Sequence, residues 1–219
     1  MSLPPPLEVY FDFDNTITEF DVLDDLITRF ARDDSWQQVE LDWQAGRIGS
    51  RECLERQFAT VRLTAAGLED YLRTIRIDPA FPRIVALLRS RGIEPVIVSD
   101  SFTTVIGRVL GHHGLTGLPI LANELTIAGD ELRLSFPYFH SICTRCGNCK
   151  TSHLMRRDRA PGTRKVYVGD GQSDVCPAGF CEILFAKGSL LRHYAPLRPD
   201  CRPFETLETV HTQLQQLLS

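Results

Sequence analysis

With 219 residues, 43% hydrophobic and 24% charged side chains and a formal net charge of −4, the chain can bury one full core and shows no electrostatic footprint for nucleic acid. Its length suits one domain carrying a sizeable insertion better than two equal domains. No run is long and charge-free enough to span a bilayer, and MSLPPPLEVY lacks the basic and apolar regions of a secretory leader, so the expectation is a cytoplasmic protein, monomer or homodimer, acting on a small molecule and not on membrane.

In chain order, Leu7 to Phe11 follows three prolines and reads as a short strand ending at Asp12. From Asp21 to Ile77 apolar residues recur at helical spacing, as in Val22, Leu26, Ile27 and Phe30 and later Leu68, Leu72 and Ile75, which predicts several short helices. Asp78-Pro79 opens another, with Ile84, Val85, Leu87 and Leu88 on its apolar side and Gly92 as its stop. "EPVIVSDS" is a second strand ending in polar residues, followed by a helix through Val105, Ile106, Val109 and Leu110. "ELTIAGDELRLSF" alternates on both sides of Ala128-Gly129-Asp130 and predicts a β-hairpin. "RKVYVGDGQSD" and "EILFAKG" repeat the strand pattern, and Leu207, Val210, Leu214 and Leu217 define an amphipathic closing helix.

Strands alternating with helices predict an α/β protein with a Rossmann-like parallel sheet core, in which ligands gather outside the carboxyl ends of the strands. Three polar strand ends then converge. On extended chain Asp12 and Asp14 share a face across Phe13, so both can reach one ligand. A hard cation such as Mg²⁺ takes one or two carboxylates together with substrate phosphate and water, and Asp12 and Asp170 are the candidates, with Asp174 close behind. Taken alone, "DFD" is equally a turn with solvated acids. The chain order of "DFDNT", "VSDS", Lys150 and "GDGQSD" favours the site.

These four motifs resemble those of the haloacid dehalogenase superfamily phosphatases: DxDxT at Asp12 to Thr16, Ser99, Lys150, and GDxxxD from Gly169 to Asp174. The resemblance spans nearly the whole chain. It implies a core domain of residues 1–20 and 78–219 with a helical cap, 21–77, inserted after the first motif, as in the phosphoserine-phosphatase-like members. It further implies Asp12 as the nucleophile forming an aspartyl-phosphate, Asp14 as acid and base, Ser99 and Lys150 holding the phosphate, and Mg²⁺ on Asp12, the Asp14 carbonyl and Asp170, with Asp174 orienting Asp170 or a bound water. Thr16 braces the loop. Glu19, Phe20 and Asp21 are either substrate contacts or a linker into the cap.

Two sub-families compete for the substrate. "FHSICTRCGNCK", "YVGDGQSDVCPAG" and Ser99-Asp100 resemble the phosphoethanolamine/phosphocholine phosphatases, in which an acid at Asp100 can pair with a ligand ammonium. The cap length, the "CGNCK" spacing and "LFAKGSLLRHYA" resemble the methionine-salvage 2-hydroxy-3-keto-5-methylthiopentenyl-1-phosphate phosphatase, which carries Gly-Gly where this chain has Asp100-Ser101. Asp100 tips the expectation toward an amine-bearing phosphomonoester, unless it merely caps the helix near Thr103. Phosphotransfer to an alcohol acceptor and a non-enzymatic binding module are the other classes.

Seven cysteines are an awkward number for a disulfide framework. His140, Cys143, Cys146 and Cys149, with Cys176 or Cys181 reachable through space, are candidate ligands of a structural Zn²⁺ or else reduced, packed thiols. His112 and His113 follow a helix end and carry no catalytic expectation.

Overall fold

The computed structural model describes residues 6–129, 131–140, 142, 143, 145–156 and 162–219. After β1 (Leu7–Phe11) come four helices, α1 (Val22–Phe30), α2 (Ser35–Gln44), α3 (Ser50–Phe58) and α4 (Ala65–Leu72), and then α5 (Phe81–Ser90). The chain continues through β2 (Val96–Phe102), α6 (Thr103–His112), β3 (Ile120–Ala128), β4 (Glu131–Ser135), α7 (Lys150–Arg156), β5 (Arg164–Gly169), α8 (Val175–Ala178), β6 (Ile183–Ala186), α9 (Gly188–Tyr194), β7 (Arg202–Pro203) and α10 (Leu207–Leu218).

The seven strands lie in the order β4-β3-β2-β1-β5-β6-β7. All pairings are parallel except β3 with β4. The predicted hairpin is present, but β3 begins earlier than the alternation suggested, because Ile120 and Leu121 pair with β2 before the chain turns into β4. Gly129 takes the turn with φ of 62°, a conformation that favours glycine, and Asp130 lies outside the described residues.

β1 is central because its side chains are apolar on both faces, as a strand covered twice must be. Val9 and Phe11 face one apolar cluster with Phe81 and Ile84 of α5, Val105 of α6 and Leu207 of α10. Tyr10 faces the other, with Leu154 of α7, Ala178 of α8 and Leu190 of α9. Each such burial contributes about 1.5–3 kcal/mol. The helices α1, α3 and α4 join the first cluster through Val22, Leu26, Leu54, Phe58, Leu68 and Leu72, and α2 packs on it through the partly buried Trp36. A single antiparallel bridge, Thr18 to Ile77, closes the base of this insertion. Among the described residues no helix is long and apolar enough to cross a membrane.

One predicted helix start moves. Asp78 does not cap α5: its Oδ1 accepts from Ala80 N–H at 2.8 Å and its Oδ2 from Leu207 N–H at 2.7 Å. The carboxylate therefore ties the entry of α5 to the first residue of α10.

Candidate active site

The order of strand addition reverses at β1, whose parallel neighbours are β2 on one side and β5 on the other, and the crevice beyond their carboxyl ends is where such sheets bind ligands. Asp12 is the first residue past β1 and still pairs with β5 through Asp12 N–H to Val168 O, 2.9 Å. The chain then folds over itself: the amides of Thr16, Ile17 and Thr18 all donate to Phe13 O, and Asn15 adopts a positive φ of 50°. Asp14 therefore reaches the cavity from a tight turn rather than from the pleat of an extended strand. Asp12 and Asp14 nonetheless line one cavity.

Lys150 opens α7 and is only 2% exposed. Its Nζ pairs with Asp12 Oδ1 at 2.9 Å and with Asp174 Oδ1 at 2.8 Å, and donates to Ser173 Oγ at 3.0 Å. Burial works against its charge, yet Asp12, Asp174 and Asp100 hold its pKa above the ordinary lysine value. Burial and the nearby Asp174 push Asp12 up, and Lys150 opposes them.

Asp174 is fully buried and accepts from Tyr167 Oη at 2.6 Å and from the amides of Asp170 and Gly171 at 3.0 and 3.1 Å, besides Lys150. Despite burial, Lys150, Tyr167 and Gly171 keep its pKa below the usual carboxylate range. Its donors are those of a brace. Asp170 is held differently: Asn15 Nδ2 donates to its Oδ2 at 2.7 Å and Thr16 Oγ1 to its Oδ1 at 2.9 Å.

Asp12, Asp170 and Asp174 have ligand oxygens within 4.8 Å of one another. Three hard oxygen donors with one neighbouring lysine suit a divalent cation such as Mg²⁺ better than a soft metal. Gly169 belongs to this packing, since a Cβ there meets Asp174 Oδ2 at 2.5 Å and Cγ at 2.8 Å. Gly169→Ala should therefore cost about 1–3 kcal/mol from overpacking. It is read as a fall in Tm of about 2–4 °C per kcal/mol for a chain of this size; an unchanged Tm rejects the contact.

Ser99, on β2, is 1% exposed; its Oγ accepts from Ser101 N–H at 3.1 Å and lies 3.5 Å from Asp14 Oδ2. Asp14 Oδ1 accepts from Val22 N–H at 3.0 Å, which ties the acid to the first residue of α1. Burial and Asp21 raise the Asp14 pKa, while Val22, Lys150 and the Ser101 hydroxyl draw it down. Asp21 caps α1 by accepting from Asp24 N–H at 3.0 Å, as a residue leading into the first helix does, and also lines the cavity.

Other expectations change. Glu19 is exposed and is not part of the cavity wall, because the Thr18–Ile77 bridge turns Thr18 inward and its neighbour out. Asp100 is not the cap of α6, whose N-terminal cap position is Phe102 with no side-chain bond. Its Oδ1 accepts from Asn148 N–H at 2.8 Å, and it lines the cavity with its pKa raised by burial. Asn148 in turn donates to Ser99 O and Leu121 O and meets His153 Nε2, so the loop before Lys150 is anchored by an asparagine.

The cysteines are not that anchor. Among the described residues His140, Cys143, Cys146 and Cys149 form no group with mutually close ligand atoms. His140 Nδ1 accepts from the amides of Ile142 and Cys143, Cys143 is exposed, and Cys181 packs in the opposite apolar cluster with its thiol on Ala178 O. Cys176 is exposed. A Zn²⁺ site is not supported. His112 and His113 pin the end of α6 to Glu69 and to Ile75 O.

The cavity measures about 150 Å³. Core carboxylates Asp12, Asp14, Asp100 and Asp170 and insertion carboxylates Asp21, Asp24 and Glu40 line it, and Lys150 is the one cation among its described lining residues. Asp24 is pushed up to about 7 by desolvation and by Asp21 and Glu40. Trp43 and Ser50 also line the insertion's side, joined by Trp43 Nε1 to Ser50 Oγ at 3.0 Å. Ser50 N–H donates to Arg145 O at 2.8 Å, and the Arg51 guanidinium stands 4.8 Å from the centre of the Phe139 ring, so α3 is fastened to the loop that precedes Lys150.

Two solved phosphoserine phosphatase structures share this architecture. One, a phospho-aspartyl intermediate analogue, superposes with a TM-score of 0.70 over 96% of this chain and 99% of its own at 17% identity; the other, substrate-bound, scores 0.69 over 97% and 99% at 15%. The fold is that of a haloacid dehalogenase superfamily phosphatase of the phosphoserine-phosphatase-like kind. A family model described as "Putative Phosphatase" matches residues 7–183, and the chain belongs to that family of phosphomonoester hydrolases. Among relatives, the 2-hydroxy-3-keto-5-methylthiopentenyl-1-phosphate phosphatase of Geobacillus kaustophilus is 30% identical over 96% of each chain, and that of Brevibacillus brevis 26% over 96% of each. Pdp3-interacting factor 1 of Schizosaccharomyces pombe is 27% identical over 99% of this chain and 98% of its own.

Proposed function

We propose that this phosphatase hydrolyses a small phosphomonoester whose leaving group carries an amine, through an aspartyl-phosphate on Asp12, with residues 21–77 acting as the cap. The observation that carries the substrate class is the imbalance of seven lining carboxyl groups against one lysine, an excess of acid that remains with Asp14 protonated and Asp24 pushed up to about 7. A divalent cation offsets the phosphate dianion, and the carboxylates of the insertion still favour a cationic leaving group. Asp100 faces the same cavity and contributes to that field.

Asp12 and Asp170 carboxylates and the Asp14 carbonyl are the groups that would hold Mg²⁺, which when bound supplies charge stabilisation to the phosphoryl oxygens. Lys150 and Ser99 orient those oxygens. An Asp12 oxygen attacks phosphorus as the ester P–O bond breaks, and Asp14 gives its proton to the departing oxygen. Asp14 then takes a proton from the water that attacks the aspartyl-phosphate, releasing phosphate and restoring Asp12. Asp174 and Tyr167 act on Lys150 and on the Asp170 loop, not on substrate.

A second reading rests on the relatives: two proteins alignable over 96% of this chain are named for the methionine-salvage enol phosphate. Phosphate release from phosphoethanolamine, phosphocholine, phosphoserine, that enol phosphate and 4-nitrophenyl phosphate, with Mg²⁺ or EDTA, separates the two. The expected result is Mg²⁺-dependent turnover with the highest kcat/KM on an amine ester, and an Asp100→Asn variant whose KM rises about tenfold for amine esters only, the cost of about 1.4 kcal/mol of lost attraction. Preference for the enol phosphate assigns the second reading and leaves Asp100 as the anchor of Asn148.

A further inference from the structure

The stretch LFAKGSLLRHYA has no part in the site as described so far, yet it runs past one of the site's carboxylates. β6 lies beside β5 with Ala186 opposite Gly169, so the chain that leaves β6 crosses the carboxyl end of β5, where Asp170 stands. Three groups close on the backbone there. Lys187 N–H donates to Gly169 O at 3.2 Å, Leu190 N–H to Asp170 O at 2.9 Å, and Ser189 Oγ to the same Asp170 oxygen at 3.3 Å.

Gly188 sits in the middle of this contact. Its φ of 54° is a conformation that favours glycine, and a Cβ there would stand 2.9 Å from Asp170 O, closer than side-chain carbons approach an oxygen. The obstacle is a backbone carbonyl and not the free end of a side chain, so only movement of the Asp170 loop or of α9 relieves it. Among the described glycines of positive φ, Gly188 alone would bring a Cβ within 4 Å of another group. Asp170 is thus gripped at both ends: α9 holds its carbonyl, while Asn15 and Thr16 of the β1 loop hold its carboxylate at 2.7 and 2.9 Å. A shift of the carbonyl carries the carboxylate away from Asp12 and Asp174, whose oxygens it now meets within 4.8 Å.

We propose that Gly188 is a positioning residue for the metal site: its lack of a side chain lets the first turn of α9 close on the Asp170 carbonyl, and this closure sets where the Asp170 carboxylate stands beside Asp12. The inference rests on Asp170 being a ligand of the divalent cation. It is independent of which ester the protein hydrolyses.

The test reads Mg²⁺ binding to metal-stripped protein, without substrate, from the rise of Tm with Mg²⁺ concentration, which follows mass action; the Tm without metal reports packing separately. Gly188→Ala should raise the Mg²⁺ concentration required by about tenfold, the scale of change seen when a group that orients a metal ligand is altered. Gly92→Ala makes the same change at φ of 71° with nothing within 4 Å, and should lower Tm without moving the Mg²⁺ requirement. Asp170→Asn should raise the requirement further than Gly188→Ala does. If Gly188→Ala gives no cooperative melt, Ser189→Ala, which removes one donor to Asp170 O, should raise it by about threefold, the worth of one hydrogen bond. A lowered Tm with an unmoved Mg²⁺ requirement in the variant that carries the test, alongside a raised requirement for Asp170→Asn, overturns the positioning role and leaves the metal site in place. An equal rise for Gly92→Ala and Gly188→Ala overturns it as well. A requirement unmoved by Asp170→Asn overturns both the role and the ligand.

Discussion

Asp12→Asn should lower phosphate release by about 10⁴-fold or more, because the nucleophile itself is removed and the remaining groups can only bind. The fold should survive. An amide oxygen can still accept from Phe13 N–H and from Lys150, the two donors Asp12 Oδ1 serves at 2.8 and 2.9 Å. Burial and Asp174 already oppose charge at this position, so neutralising it relieves some strain, and Tm should stay within about 4 °C of the parent, roughly 1–2 kcal/mol. Initial-rate assays on rigorously purified protein and a thermal melt check both halves. Turnover of even a few per cent, proportional to variant concentration, would remove Asp12 from the mechanism.

Lys150→Met should be damaging in a different way. The substitution keeps the apolar stem but leaves Asp12 and Asp174 facing each other without their shared cation, in a site where Lys150 is 2% and Asp174 0% exposed. Breaking a buried pair from one side costs about 3–5 kcal/mol, and activity should fall with the phosphate anchor. The pH dependence has a definite sign. In the parent, Lys150 holds Asp174 below the ordinary carboxylate pKa, which stabilises the fold above that range and is lost as pH falls through the lowered value. Without the lysine, burial raises both carboxyls, so the variant's deficit is greatest near neutrality and shrinks as pH drops toward 4, about the unfolded carboxylate value. Denaturant melts at pH 7 and pH 5 measure it; a deficit that is the same or larger at pH 5 contradicts the arrangement.

Much of this site was readable because its residues stand where apolar runs stop. Val9 to Phe11, Val96 to Val98 and Val166 to Val168 are runs that only a doubly covered strand accommodates, and Asp12, Ser99 and Asp170 follow or end them. The hairpin was readable from alternation around Gly129. What periodicity does not carry is closure through space. Tyr167 looks like any strand residue, yet its hydroxyl holds Asp174; Asn148 stands among cysteines that drew attention by their spacing, yet it binds Asp100, Ser99 and Leu121. Glu19 and Asp21 are two residues apart in one loop, and a single bridge at Thr18 decides that only Asp21 reaches the cavity. The amphipathic pattern of α2 says that Val39 is inside but not that Glu40 and Trp43 line the same wall.

The contact from Asn15 to Asp170 spans 155 positions of chain. Closing so long a loop costs conformational entropy that must be spent before the pairing of β1 with β5 repays it, a long-range contact of the kind that slows folding in general. During synthesis the nucleophile emerges early, while the strand and carboxylate that complete its surroundings emerge more than 150 residues later. A nascent chain therefore carries Asp12 at the end of an apolar strand with one flank unpaired until β5 arrives, an open edge of the kind that pairs with other chains before the sheet closes.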